Sequence, residues 1–175
     1  AKALPASNLP EAVKNLLTKL GKTLPNARVQ FIKGKSDEQE NFNFYFAHAH
    51  PINPLLYHFQ LERFEDLLDI DFAALADGSF EGNRSDERLF LVCTNGKRDI
   101  CCAKQGIPLY RAMGMIDYPH VWHTTHFGGH RLAATLVCLP HGICYGRVPV
   151  SDASGLIEAY HQNRILPQYY RGNVA

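Results

Sequence analysis

Residues 89–102 read LFLVCTNGKRDICC. Leu89–Cys93 is an unbroken apolar run of strand length, the pattern of a strand buried on both faces. Residues 94–99 form a polar loop, and Asp99 stands where a helix over residues 100–113 needs a cap. The stretch is a strand, a loop and a helix, with one cysteine closing the strand and Cys102 in the first helical turn. Downstream, residues 114–119 read as a turn and residues 121–125 (VWHTT) as a short strand. Residues 133–139 and 143–148 pair as a hairpin around Pro140, His141 and Gly142. A helix over residues 152–164 follows, capped at Ser151 or Asp152.

The order of this half is β-α-β-β-β-α. That is a thioredoxin-like order without its middle helix, and such α/β folds place functional loops at strand C-termini. Upstream, Leu9, Val13, Leu16, Leu17 and Leu20 recur at helical spacing over residues 7–20, with Ser7 or Asn8 as cap and Gly21 as stop. Residues 27–33 (ARVQFIK) alternate as a strand, and residues 34–40 form a polar turn. Residues 42–48 form a second strand, with Phe42, Phe44 and Phe46 on one face. Residues 55–61 form a third, and residues 64–76 a helix closed by Gly78. The polar stretch 80–88 marks the expected boundary. It separates an N-terminal α+β domain (residues 1–86) from a thioredoxin-like domain (residues 87–175). The first part, lacking only an opening strand, also reads as a degenerate repeat of the second, its first strand lying upstream of Ala1.

The 175 residues suffice for one domain or two small ones. Net charge is +1, which argues against nucleic acid as a partner. The distribution is uneven: residues 1–86 hold 9 basic and 12 acidic residues, residues 87–175 hold 9 and 5. All five cysteines and six of nine histidines lie in the second part, so chemistry is expected there. The longest apolar run, residues 132–139, is far short of the roughly 20 residues that span a membrane, so none is expected as a partner. The start shows no signal peptide. Five clustered cysteines are an odd count and no disulfide framework, which favours a reducing, cytoplasmic compartment.

Two spacings stand out. Cys93 and Cys102 enclose eight residues; His126 and His130, in H-F-G-G-H, enclose three. Both cysteines border one loop, and a helix N-terminus favours thiolate. Gly128 and Gly129 permit a tight turn between the imidazoles. Two thiolates and two imidazoles make a four-ligand metal set. Each residue alone has a blander role: a cysteine at the end of an apolar strand is ordinarily core, and a lone histidine is ordinarily a satisfied polar group. The joint occurrence carries the reading. Cys101 and Cys102 are adjacent, so their side chains point in different directions and at most one of them is expected as a ligand. Cys138 and Cys144 are read as small core residues. His123 is a competing ligand, while His48, His50, His58, His120, His141 and His161 are structural. Lys97, Arg98 and Arg131 flank the ligands, either as solvated loop charges or as cations favouring a reduced, anionic centre. Trp122 and Phe127 either shield the centre or pack the core. A mononuclear zinc site is the first alternative, because H-x3-H suits zinc. A thiol oxidoreductase using Cys93 or Cys102 is the second, though no C-x-x-C is present. G-x-S-x-G, Walker A and G-x-G-x-x-G motifs are absent.

Further pieces extend the pattern: C-T-N-G-K-R-D-I-C-C, G-I-P-L, V-W-x-x-x-H-F-G-G-H-R, L-P-H-G-I-C-Y-G-R-V and Y-R-G, with F-E-D-L-L-D-I-D upstream. Together they resemble the sucrase/ferredoxin-like family of thioredoxin-like ferredoxins over most of residues 27–172. Asn95 departs from the histidine often found there. The resemblance implies an electron carrier rather than an enzyme, with a [2Fe–2S] cluster on Cys93, Cys102, His126 and His130. It also implies truncation at both ends of the chain. Such a cluster is neutral when oxidised and a monoanion when reduced, whereas an all-cysteine cluster goes from dianion to trianion. The potential is therefore expected above the roughly −400 mV of plant-type ferredoxins. Imidazoles on oxidised iron can lose their second proton, so the potential is expected to fall as pH rises. The redox donor and acceptor are unspecified, and the positive second half points to an acidic protein.

Overall fold

The computed structural model describes residues 3–34, 41–117 and 119–174. Among the described residues the strands and α-helices follow in the order α1 (Glu11–Thr23), β1 (Ile32–Lys33), β2 (Phe42–His48), β3 (Leu55–Leu61), α2 (Phe72–Asp77), β4 (Leu89–Cys93), α3 (Ile100–Gly114), β5 (Val121–Thr124), β6 (Thr135–Leu139), β7 (Ile143–Gly146), α4 (Ala153–His161) and β8 (Tyr170–Asn173). A six-stranded sheet runs β1-β5-β4-β6-β7-β8, and β2 and β3 form a separate antiparallel pair. β4 and β5 are parallel, joined by the α3 crossover, and every other pairing is antiparallel. The inner order β5-β4-β6-β7 with α3 and α4 realises the β-α-β-β-β-α order read from the sequence.

Strand alternation sends the β4 residues to two cores. Phe90 and Val92 join Leu109, Met113, Leu136, Leu156 and Tyr160 beneath α3 and α4. Leu89 and Leu91 meet Leu56, Tyr45 and Trp122 on the opposite face, under the β2–β3 pair. Phe44, Phe46, Tyr57 and Phe59 face away from that contact and pack with Val13, Leu17, Phe72 and Leu75. The molecule is thus four layers: α3 and α4, the large sheet, the hairpin, then α1 and α2. Each fully buried large apolar side chain contributes about 1.5–3 kcal/mol of transfer free energy. A cavity of about 1170 Å³ reaches both faces of β2, lined by Leu17, Leu20, Phe44 and Phe72 on one side and by Tyr45, His58, Glu87 and Trp122 on the other.

Several expected bounds are corrected. α1 begins after Pro10, with no side-chain cap from Ser7 or Asn8, and runs through Gly21 to Thr23. Of residues 27–33 only Ile32 and Lys33 are strand, paired with Thr124 and His123. The helix expected over 64–76 is two: a 3-10 helix, Phe64–Asp69, then α2, because the Asp71 carboxylate accepts from the Ala73 and Ala74 N–H groups and starts a new helix. Gly78 closes α2 at φ +80° as expected. Residues 80–88 are tied down: the His58 N–H donates to Asn83 O and the Ser85 N–H to Leu56 O. β8 was not read from the sequence. Apart from Gly34, the polar turn at 34–40 lies outside the described residues. β1 belongs to the large sheet although it precedes the expected boundary, whereas β2 and β3 form a separate pair that adds an isolated bridge from Tyr57 to Arg84.

Candidate metal centre

The centre forms where three segments meet. β4 ends at Cys93, which is fully buried. The loop after it is closed by Asn95: its backbone carbonyl accepts from the Arg98 and Asp99 N–H groups, and its side-chain oxygen also accepts from Arg98 N–H. The loop delivers Asp99 to the N-terminus of α3, where its carboxylate accepts from the Cys101 N–H at 2.9 Å. Cys102 then turns inward, 1% exposed, and Cys101 outward. α3 comes close to β4 because residue 106 is glycine: a Cβ there would lie 2.1 Å from the Cys93 carbonyl oxygen.

The third segment follows β5. His126 Nδ1 lies 3.7 Å from Cys93 Sγ and 3.7 Å from Cys102 Sγ. The donor atoms of Cys93, Cys102 and His126 all fall within 4.8 Å of one another. Gly128 and Gly129 adopt φ +117° and +69°, turning the chain between the two imidazoles. The His130 ring sits 6.0 Å from the His126 ring, and its Nε2 is 3.9 Å from an Asp99 oxygen. Of the four expected ligands, three converge, and the fourth stands beside them on the same turn.

Electrostatics suits a cation. Burial pushes the Cys102 thiol up to about 12, and the neighbouring Cys93 adds to the rise. A bound metal ion inverts this balance, because it stabilises thiolate directly. Burial, then His130 and Arg98, holds His126 below its ordinary value, keeping the imidazole neutral as ligation requires. The hydrogen bond from the Cys101 N–H lowers the Asp99 carboxyl below its ordinary value. The donor set, two soft thiols with two imidazoles, fits zinc and iron–sulfur centres alike.

The remaining residues are placed as follows. His123 is hydrogen-bonded to Thr94 Oγ1 at 3.0 Å and stacked on Tyr110, and it is not in the converging group. Cys138 and Cys144 sit one register step apart, opposite Ile143 and Val137, so their thiols point to opposite faces of the sheet. His50 accepts from the Ile52 and Asn53 N–H groups, His58 bridges Asn43 and Glu87, and His141 bonds Tyr160 Oη. His120 and His161 share Asp117. Trp122 packs against Tyr45 in the core under the hairpin. Lys97, Arg98 and Arg131 are exposed. Sequence reasoning missed two supports. Gly106, a glycine inside a helix, was the readable signal for a close packing contact. Arg28 donates to Phe127 O at 3.0 Å, and Gln30 accepts from Thr125 Oγ1 at 2.8 Å; these ties from the first half fasten the His126 segment, and no local pattern announces them.

Among the described residues no helix is long and apolar enough to cross a membrane. The chain is 31% identical over 106 residues to Altered inheritance of mitochondria protein 32 of Meyerozyma guilliermondii. That match covers 54% of this chain and 38% of the yeast protein, so the chain spans well under half of that relative's length. Similar solved structures include a thioredoxin-like [2Fe–2S] ferredoxin from Aquifex aeolicus, at 14% identity and TM-score 0.45 over 51% of this chain and 94% of that one. A cysteine-to-serine variant of the Aquifex protein matches at 14% identity and TM-score 0.43, over 50% of this chain and 100% of that one. The Sucrase/ferredoxin-like family matches residues 2–172, nearly the whole sequence, and the chain belongs to that family.

Proposed function

We propose that the protein is a one-electron carrier holding a [2Fe–2S] cluster on Cys93, Cys102, His126 and His130. The observation that carries this reading is the convergence of two buried thiols and one imidazole, drawn from three segments, with a second imidazole on the adjoining turn. When bound, the cluster would take up and release one electron, at a potential above the roughly −400 mV of plant-type centres and toward the −150 to +300 mV range of two-histidine centres. The chain's own residues do the rest. Cys93 and Cys102 would hold the cluster from a buried floor, and Asp99 fixes the turn of α3 that presents Cys102. Gly128 and Gly129 make the tight turn that sets His126 against the thiols and His130 beside Asp99. Electron paramagnetic resonance of dithionite-reduced, anaerobically purified protein tests the proposal. A half-integer-spin signal is expected, altered in both His126→Cys and His130→Cys. A colourless, silent wild type refutes the cluster, and spectra unchanged in both variants refute the histidine ligands.

A mononuclear zinc site is the second reading, favoured by one distance. Tetrahedral zinc with bonds of about 2.3 Å to sulfur and 2.0–2.1 Å to nitrogen has a sulfur–nitrogen edge of about 3.6 Å. Both sulfur–nitrogen separations here are 3.7 Å. One zinc per chain in colourless protein after anaerobic purification selects this reading; iron and sulfide with visible absorption select the first.

A further inference from the structure

The end of the molecule that carries the donors is chemically unlike the rest. Residues 94–134 hold two carboxylates, Asp99 and Asp117. Asp117 is spent on His120 and His161, beyond the far end of α3. Asp99 is spent on the Cys101 N–H and stands beside His130. Lys97, Arg98, Lys104 and Arg131 are exposed around them, and among the described residues none of the four is in an ion pair. Lys97 and Arg98 precede the first turn of α3, and Lys104 lies one turn along it. Arg131 follows His130, whose ring faces Asp99. In their midst Ile100 is 75% exposed, an apolar side chain held out at the tip of the helix. Cys93 and Cys102 are buried, and this tip is part of the exposed surface that borders them in the chain.

We propose that Ile100 and the surrounding cations form the docking face for an acidic redox protein. The inference rests on the electron-carrier reading and names its partner's chemistry. An apolar centre within a charged rim is the anatomy of a transient protein interface: the rim steers the encounter, and the centre holds it once water is excluded. Four exposed cations, none in an ion pair among the described residues, select a negative partner and repel a positive one. One isoleucine on a turn is not the broad apolar stripe by which a helix lies in a membrane surface, so the geometry favours a protein over anionic lipid.

Binding is measured with the protein as isolated, its visible spectrum recorded on the same sample. The spectrum therefore reports the cluster and the titration reports the surface. The probes are an acidic flavodoxin, a basic cytochrome c, and phosphatidylcholine vesicles containing phosphatidylserine. Flavodoxin should bind at about 10 mM ionic strength and at least tenfold more weakly at about 200 mM. The double variant K97E/R98E should lose about tenfold or more, and Ile100→Ser severalfold. Met115→Ser should match wild type, because Met115 is 82% exposed but lies past the far end of α3. Circular dichroism confirms that each variant is folded. Flavodoxin affinity unchanged in K97E/R98E, or equal affinity for cytochrome c, overturns the proposal. So does binding to the vesicles but not to flavodoxin, which assigns the face to lipid. Self-association abolished by K97E/R98E overturns it in favour of a second copy of this chain.

Discussion

Gly106→Ala tests how the centre is assembled. The added Cβ would lie 2.1 Å from the Cys93 carbonyl oxygen, 3.1 Å from its carbon and 3.6 Å from Thr94 Cα. Every obstructing atom is backbone, so no rotamer change relieves the clash. Real contacts of this kind begin near 3.0 Å, so α3 must retreat from β4 by about 1 Å. Overpacking of this sort costs typically 1–3 kcal/mol, and a backbone obstacle places it at the upper end. Cys102 lies one turn before Gly106 on the same side of α3, so the retreat carries its thiol away from Cys93 and His126. The 3.7 Å separation from Cys102 would lengthen by up to about 1 Å, past the roughly 3.6 Å sulfur–nitrogen edge at a single metal ion. Urea unfolding should show the loss of stability, and metal analysis after dialysis against chelator should show a loss of bound metal. Gly114→Ala is the control: it sits in the same helix with nothing within 4 Å of its added methyl. It should be neutral or stabilising by about 0.4–1 kcal/mol. Wild-type stability and full metal retention in Gly106→Ala would show that close packing of α3 on Cys93 does not build the site.

Three further predictions address its surroundings. Asp99→Ala removes the cap of α3 and should speed metal loss to chelator, whereas Asp99→Asn, which keeps an acceptor for the Cys101 N–H, should hold metal nearly as well as wild type; equal loss from both variants would contradict the capping role. Gly128→Ala should cost roughly 1–3 kcal/mol in urea unfolding through its φ of +117°, since nothing crowds the methyl; an unchanged midpoint would mean the turn is not held at that dihedral. Burial and Arg88 hold His141 below its ordinary value, so on acidification the unfolded chain takes up this proton first. Its share of stability is present above about pH 6.5 and is lost as pH falls through the folded value, so His141→Gln should lose less than wild type between about pH 7.5 and 5.5.

The elements that hydrophobic pattern dictates were readable. Phe42, Phe44 and Phe46 alternate because one face of the hairpin is buried on α1 and α2, and Leu89–Cys93 is wholly apolar because both faces of that strand are covered. Pattern failed where another force set the structure. Residues 27–31 alternate like a strand yet are fastened instead through Arg28, Gln30 and the Phe31 backbone to the segment after β5. Residues 70–71 fit a helical period, but the Asp71 carboxylate binds N–H groups that a continuous helix would have used internally. Tyr170–Asn173 pairs at the sheet edge with too little apolar character to show a strand period. Each departure is a side chain or an edge, which periodicity does not encode.

The four-ligand reading shows the same limit within the site. Spacing placed His126 and His130 on one tight turn, and the positive dihedrals of Gly128 and Gly129 make that turn. Spacing did not say which imidazole faces the thiols. In the fold His126 does, while His130 faces Asp99 at 3.9 Å. Asp99 is also the cap that orders the first turn of α3 and hence the position of Cys102. One carboxylate therefore touches both arms of the centre, the helix bearing a thiol and the loop bearing an imidazole. If a metal recruits His130 through Nδ1, Asp99 is placed to hold the Nε2–H, the usual carboxylate support of a ligating imidazole, while the same carboxylate positions Cys102. Ligation at the fourth position is thus coupled to the capping of α3. Asp99, which sequence offered only as a helix cap, becomes the residue through which the two loops answer to each other.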